Sequence, residues 1–298
     1  MKNKRIITIG TFDGVHLGHC ALFARLEQLA VLHQLKPLVL CFPYPPKTLL
    51  SDAPAMTVLS TPPEKKVLLK QVLGDTPFEE LNFQIYREYT PERFFKKVLL
   101  EKYHCGALLA GPDFAFGKNR QGTDAWLQKK CEQAGIPFEI LPFYDGPRGE
   151  KIASSLVRKL LAEGQLGAAQ ERLGRPYSLE GRVVPGQRLG RKLGFRTANL
   201  DVNFYKLLPL GVYAVRVRVG RSWYKGIFNI VYRPTVNTIT TPIPLTEVHI
   251  LNFNQSIYGR RLEVVFVDKI RGEEKFDGLD ALKKQLAQDK ITARKLLS

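Results

Sequence analysis

Cysteine is scarce and unevenly placed: Cys20, Cys41, Cys105 and Cys131 are the only four in 298 residues, all in the first half, with no CxxC pair. That pattern argues against a disulfide framework or a zinc site and for free thiols in a reducing compartment, by default the cytoplasm. No apolar run approaches the ~20 residues that a membrane-spanning helix needs, so no membrane partner is expected. The apolar stretch near the start, Ile6-Ile7-Thr8-Ile9, is too short for a signal peptide and reads as a first strand. There is no low-complexity linker or repeat. A Walker A loop is also missing: Gly181 and Gly186 have its glycine spacing, but Gln187 stands where lysine must be.

Acidic residues are outnumbered, 28 against 45 basic ones, for a formal charge of +17. Residues 1–176 carry +6 and residues 177–298 carry +11. Nucleic acid, small polyanionic substrates and a merely solvated basic surface are all compatible with that excess. The 44% hydrophobic and 24% charged content is that of a globular protein, long enough for two domains.

The first half alternates strand-like and helix-like segments, which predicts a parallel α/β sheet. Strands are expected at Ile6–Ile9, Leu38–Phe42, Gly106–Gly111 and Phe138–Phe143. Leu22, Leu26, Leu29 and Ala30 form one helical stripe, Asp124–Gln133 a second helix closed by Gly135. A third opens at Ser154-Ser155, read as N-caps, and stops at Gly164. After Gly174-Arg175-Pro176 the strands become short and alternating. Val215, Val217 and Val219 point one way and Arg216 and Arg218 the other. Further strands at Trp223–Tyr232, Glu247–Asn252 and Leu262–Val267 predict a small antiparallel barrel, closed by a helix from Leu279 to Leu297. The expected domains are 1–176 and 177–298.

Two constellations carry chemistry. In Gly10-Thr11-Phe12-Asp13-Gly14-Val15-His16-Leu17-Gly18-His19, Gly10 and Gly14 permit a tight turn, and Gly18 leaves room for a group to press on the helix. His16 and His19 share a face at a helix start, where free N–H groups favour phosphate. Their charge state is open at this point, and the competing readings are packing histidines or a metal site short of a third ligand. In the second half, Gly186, Gly190 and Gly194 recur among Arg188, Arg191 and Lys192, a loop able to wrap phosphates. Thr197 and Asn199 are neutral oxygen donors suited to magnesium beside substrate phosphates. Glu247 lies opposite the core-facing Val248 and Ile250, where a strand carboxylate can take a hydroxyl proton. Singly, each of these also reads as an ordinary loop, turn or exposed strand residue.

GTFDGVHLGH resembles the HxGH signature of nucleotidylyltransferases. AGPDFAFGKNRQG (110–122) and SSLVR (154–158) resemble the adenylyltransferase module of bifunctional bacterial riboflavin kinase/FAD synthetases. GFRTAN, GVYAV, EVHILNF, IYG and IRGEEKF resemble the riboflavin kinase module, so the resemblance spans nearly the whole chain. It implies a Rossmann-like adenylyltransferase domain followed by a riboflavin kinase barrel. Riboflavin, FMN, FAD and ATP are the implied ligands, with ATP as co-substrate and Mg2+ as cofactor. It further implies that His16, His19, Ser154, Ser155 and Arg158 cradle ATP together with Gly10, Phe12, Asp13, Gly14 and Gly18. Asp113, Phe114, Phe116 and Gly117 would lie beside nucleotide or flavin. In the kinase half Thr197 and Asn199 would handle magnesium and phosphate, and Glu247 would act as base. Five positions depart from the pattern: Thr11 for Asn, Tyr44 for His, Leu156 for Thr, Arg196 for Pro and Val231 for Gly. Retention of one activity alone, or flavin-responsive binding of nucleic acid, are the alternatives. The latter is not expected, since no aromatic RNA-reading motif accompanies the arginines.

Overall fold

A computed structural model of the chain describes residues 4–46, 48, 57–112, 114–186, 194–232 and 244–298. It divides into two compact units, Met1–Ala55 with Ser60–Ser154, and Met56–Leu59 with Ser155–Ser298.

In the first unit, β1 (Arg5–Gly10) is apolar on both faces, as a central parallel strand must be. It pairs with β2 (Lys36–Cys41) and β4 (Cys105–Ala110), and β3 (Phe78–Glu80) and β5 (Phe138–Ile140) complete a parallel sheet in the order β3-β2-β1-β4-β5. Alternate residues feed two cores. Ile7, Ile9, Leu38 and Leu40 join Phe94, Phe95 and Leu127 on one face; Ile6, Val39 and Cys41 join Leu22, Leu26 and Leu29 on the other. The latter three belong to helix α1 (Leu17–His33), whose predicted stripe is buried. Helix α2 (Pro62–Leu73) packs on the same face through Leu69 and Leu73. Helix α3 (Asp124–Ala134) ends at Gly135 with φ 63°, the left-handed cap expected of that glycine. Because strand order reverses between β1 and β4, a crevice opens at their carboxyl ends, where open α/β sheets bind ligands. The segments that follow these strands are the glycine–histidine loop and the 111–117 stretch.

Three of the four thiols are sealed in this unit. Burial pushes Cys41 up to about 11, Cys105 to about 12 and Cys131 to about 11, and only Cys20, on α1, is partly open to solvent.

The second unit begins with helices α4 (Ser154–Ala162) and α5 (Leu166–Leu173). From Val157 onward they bury apolar residues in the same cluster as the barrel, which is why compactness divides the chain at 154. Ser154 and Ser155 are the first two residues of α4 rather than its caps, a correction to the capping assignment; Ser154 Oγ instead donates to the carbonyl of Asp13 at 2.8 Å. Strands β6 (Ser178–Val184), β7 (Ala198–Val202), β8 (Gly211–Val219), β9 (Ser222–Tyr232), β10 (Pro244–Ile250) and β11 (Arg261–Arg271) close an antiparallel barrel in the order β10-β7-β6-β11-β8-β9. Closure leaves no strand edge unpaired. On β8, Val215, Val217 and Val219 are buried and Arg216 and Arg218 exposed, as the alternation predicts. Tyr213, Phe228 and Phe266 fill the interior with edge-on ring contacts.

Helix α6 (Leu279–Leu296) is fastened to the barrel by Asp289, 1% exposed, which accepts from Arg271 Nε at 3.0 Å, Arg271 Nη2 at 3.0 Å and Gln285 at 2.8 Å. Removing one partner of a buried pair strands the other. Asp289→Ala should therefore lower stability by about 3–5 kcal/mol, seen as a fall in the urea midpoint of the full chain. Arg271→Met combined with Asp289→Leu should lose far less; an equal loss would show that packing, not stranded charge, is the cost.

Candidate active sites

The loop after β1 folds back on itself through unusual backbone. Gly14 has φ 79°, and Phe12 and Val15 adopt φ 46° and 41°, a region that costs non-glycine residues roughly 1–3 kcal/mol each. A Cβ at Gly10 would strike the Phe12 ring at 2.7 Å, so glycine is required there. The strain is held by hydrogen bonds from behind. Asp13, 1% exposed, accepts from the Ser60 amide at 3.1 Å, and Ser60 Oγ accepts from the Gly14 amide at 2.9 Å.

At the helix start His16 is the N-cap of α1 and His19 occupies the third helical position. The His16 amide donates to Nδ1 of His19 at 3.3 Å, and the rings stack with centroids 3.6 Å apart. This belongs to a capping box, His16 side chain toward the His19 amide and His19 side chain toward the His16 amide, with histidine in the place usual for glutamate. With Nδ1 accepting this bond, Nε2 is the ring nitrogen left to donate outward. Gly18 lets the Ile152 carbonyl and the His16 ring approach: a Cβ would meet them at 3.4 and 3.2 Å.

Lysine 65 was not legible as a site residue, yet it is 2% exposed. Its Nζ donates to the carbonyls of Thr11 at 2.7 Å, Phe42 at 2.8 Å and Pro43 at 2.8 Å. Its place is set by the start of α2, where Thr61 is the N-cap, Pro62 follows, and Glu64 accepts from the Thr61 amide at 2.8 Å. Burial lowers the Lys65 pKa, while Asp13, Cys41 and Glu80 oppose that shift. The capping box and its prolines were the available signal, since the lysine alone reads as surface.

A cavity of about 260 Å³ opens in front of this loop, lined by Gly10, Phe12, His16, Gly18, His19, Phe114 and Ser154 among others. Asp13 and Gly14 support it from behind. Phe116 is buried against Phe94 and Trp126, and a Cβ at Gly117 would overlap Pro91, so these two pack the wall rather than line the cavity. Ser155 and Arg158 lie on α4, and Asp113 lies outside the described residues.

In the barrel, antiparallel register sets Glu247 of β10 opposite Asn199 of β7 and, on its other side, opposite Asn229 of β9. Directly opposed residues share a face, their Cβ atoms ~4.5–5.5 Å apart. Glu247 is thus flanked by two neutral amides, and Asn229 is a neighbour that sequence reading did not single out. Val248 and Ile250, buried as expected, take the other face. A Cβ at Gly186 would overlap the side-chain amide of Asn199, which accounts for glycine where the basic loop begins. Thr197 and Arg196 line a cavity of about 320 Å³ with Val248, Ile250, Phe253 and Tyr258. The Arg196 carbonyl accepts from Nδ1 of His249 at 2.7 Å, and its guanidinium bonds Asn254. Gly194 has φ 79°. Gly190, Arg191 and Lys192, with Arg188, lie outside the described residues. Among the described residues no group of three or more His, Cys, Asp or Glu could hold a metal.

Two family models match the chain, one described as FAD synthetase over residues 1–156 and one as riboflavin kinase over residues 173–297. The chain is 36% identical over 289 residues to the bifunctional riboflavin kinase/FMN adenylyltransferase of Haemophilus influenzae, covering 97% of this chain and 92% of that protein. It is 36% identical over 291 residues to that of Escherichia coli K12, covering 97% and 91%, and 33% identical over 302 residues to that of Bacillus subtilis 168, covering 99% and 93%. A crystal structure described as a macrolide-efflux protein from Streptococcus pneumoniae superposes with a TM-score of 0.83 at 29% identity, covering 99% of this chain and 95% of that one. No helix among the described residues is long and apolar enough to cross a membrane.

Desolvation, the largest influence, lowers the His249 pKa below 6.5; its bond to the Arg196 carbonyl opposes this and Lys290 adds to it. Folding thus favours the neutral ring, so its contribution to stability is complete above pH 6.5 and shrinks as pH falls toward the lowered folded value. An NMR titration of the His249 ring should give a midpoint below 6.5; a midpoint at or above 6.5 would contradict the burial argument.

Proposed function

The chain belongs to the family of bifunctional riboflavin kinase/FMN adenylyltransferases, and from that premise we propose that it phosphorylates riboflavin to FMN and adenylylates FMN to FAD. Residues 1–176, a span that includes the Ser154–Arg158 segment, carry the second reaction; residues 177–298 carry the first. Free thiols and the absence of a membrane-spanning helix among the described residues support a cytoplasmic enzyme. The positive charge serves polyanionic substrates.

The observation that carries the reading is the Asn199–Glu247–Asn229 row. A kinase needs a base beside the hydroxyl that attacks and oxygen donors beside the phosphates, both on rigid elements. Glu247 takes the proton of the riboflavin 5′-hydroxyl as that oxygen attacks the γ-phosphorus of ATP. Thr197 and Asn199 offer hard oxygen donors that fit magnesium carried chiefly by ATP phosphates. Bound there, Mg2+ neutralises charge on the transferring phosphoryl group. The segment containing Gly186, Gly190, Arg191, Lys192 and Gly194 supplies basic side chains and backbone N–H groups for the phosphates. Arg196 replaces the family's proline, but two hydrogen bonds, one to its carbonyl and one from its guanidinium, tie down what proline would stiffen. Val231 sits in regular register opposite Leu245, so the strand accepts it in place of glycine.

In the first site the FMN phosphate attacks the α-phosphorus of ATP and pyrophosphate leaves. No protein nucleophile takes part; orientation and charge stabilisation supply the rate. His19 donates from Nε2 to the polyphosphate beside His16 and Ser154, and Ser155 and Arg158 are further phosphate donors by the family motif they belong to. Phe114 lines the flavin end of the cavity, Asp113 precedes it in sequence, and Phe116 and Gly117 shape the wall behind.

Incubation with riboflavin, ATP and Mg2+, resolved by chromatography, should yield FMN and then FAD, and EDTA should abolish both. Glu247→Gln should slow FMN formation by about 10²-fold or more while sparing FAD made from supplied FMN. His19→Ala should do the reverse, slowing FAD formation by about 10²-fold. If either substitution stopped both steps, the division of labour would be wrong.

A further inference from the structure

Lys65, buried like Arg172 and Lys206, lies against the loop that lines the first cavity and has no task in the reactions as described. Lys65 is 2% exposed, although lysine is almost never fully buried unless its charge is met. Here three carbonyls meet it, at 2.7, 2.8 and 2.8 Å, one acceptor for each ammonium proton. That geometry requires the protonated amine. The acceptors belong to two different crossovers of the sheet. Thr11 follows β1 within the glycine–histidine loop, and Phe42 and Pro43 follow β2, immediately before Tyr44. The same helix start holds that first loop again through Ser60, which bonds Asp13 and Gly14.

We propose that Lys65 is a positioning residue for adenylyl transfer, its buried ammonium joining the loop after β1 to the loop after β2 and so fixing the backbone that faces the polyphosphate. The inference rests on the reading of the first site as the adenylyltransferase. Lys65 touches no substrate. It acts through the Thr11 carbonyl on a loop whose Phe12 and Val15 are strained and would relax if untied. Its charge also offsets that of buried Asp13, which would otherwise repel phosphate. The titratable groups that face it are Asp13 from the loop after β1, Cys41 at the end of β2 and Glu80 at the end of β3.

The test compares both activities in the full-length chain, with the kinase step as the reference for an intact fold. The wild type must first make FAD from FMN and ATP; if it does not, the reading of the site fails, whatever Lys65 does. Given that activity, Lys65→Met should lower kcat for FAD formation by about tenfold or more, with FMN formation unchanged. The wild type should show an alkaline fall in FAD formation, beginning below the 10.5 of an ordinary lysine, that the Met variant lacks. Lys65→Arg keeps a cation that does not deprotonate and should retain more activity than Met, again without that limb. Wild-type FAD synthesis in Lys65→Met would overturn the proposal, as would an alkaline limb that persists in either variant. Should the Met variant fail to fold, the pH profile of Lys65→Arg decides alone.

Discussion

The first unit is organised around a charge out of water. Placing an ammonium in a protein interior carries an effective penalty of several kcal/mol, recovered only when every proton finds an acceptor. Lys65 has three carbonyl acceptors, and charge-assisted bonds of this kind contribute roughly 1.5–3 kcal/mol each. The balance is near even, so the arrangement adds little to stability. What it adds is definition: two loops that could each take many conformations share one fixed point. The strained backbone at Phe12 and Val15 persists because Lys65 on one side and Ser60 on the other leave it no easier course.

The barrel solves the same problem of precision differently. The position of Glu247 comes from a closed ladder in which β10 is paired on both sides. A one-residue slip would turn Glu247 inward and Val248 outward, and burial of Val248 at 1% exposure forbids it. Hydrophobic register thus aims the carboxylate. Each unit has its own means of holding reactive groups, which suits a chain that performs two separate transfers.

What was legible in the sequence was what is local. Paired histidines three apart, glycines at a turn and the strict alternation of β8 each declare themselves within ten residues, and the structure has them as read. The Asn199–Glu247 pairing is legible only as two separate motifs, because antiparallel register joins residues 48 positions apart. Asn229 was missed for the same reason. Lys65 was hidden by its type, which defaults to solvent, although Thr61 and Glu64 announced the helix that buries it. Ser154 was misread as a cap because a serine before a helix usually caps; its hydroxyl instead reaches Asp13, a contact 141 positions away. Phe116, two residues after Phe114 in the AGPDFAFG motif, packs against Phe94 and Trp126, contacts that no local pattern announces.

The unequal burial of the sulfurs has a practical side. With Cys41 and Cys105 buried in strands of the sheet and Cys131 buried on α3, Cys20 is the most exposed of the four thiols to a maleimide in solution. It directly follows His19 on the first turn of α1. A dye attached there would follow directly on a residue that lines the first cavity, without any engineering of the native sequence, and a change in its emission on adding adenine nucleotide would test whether that cavity is the one filled.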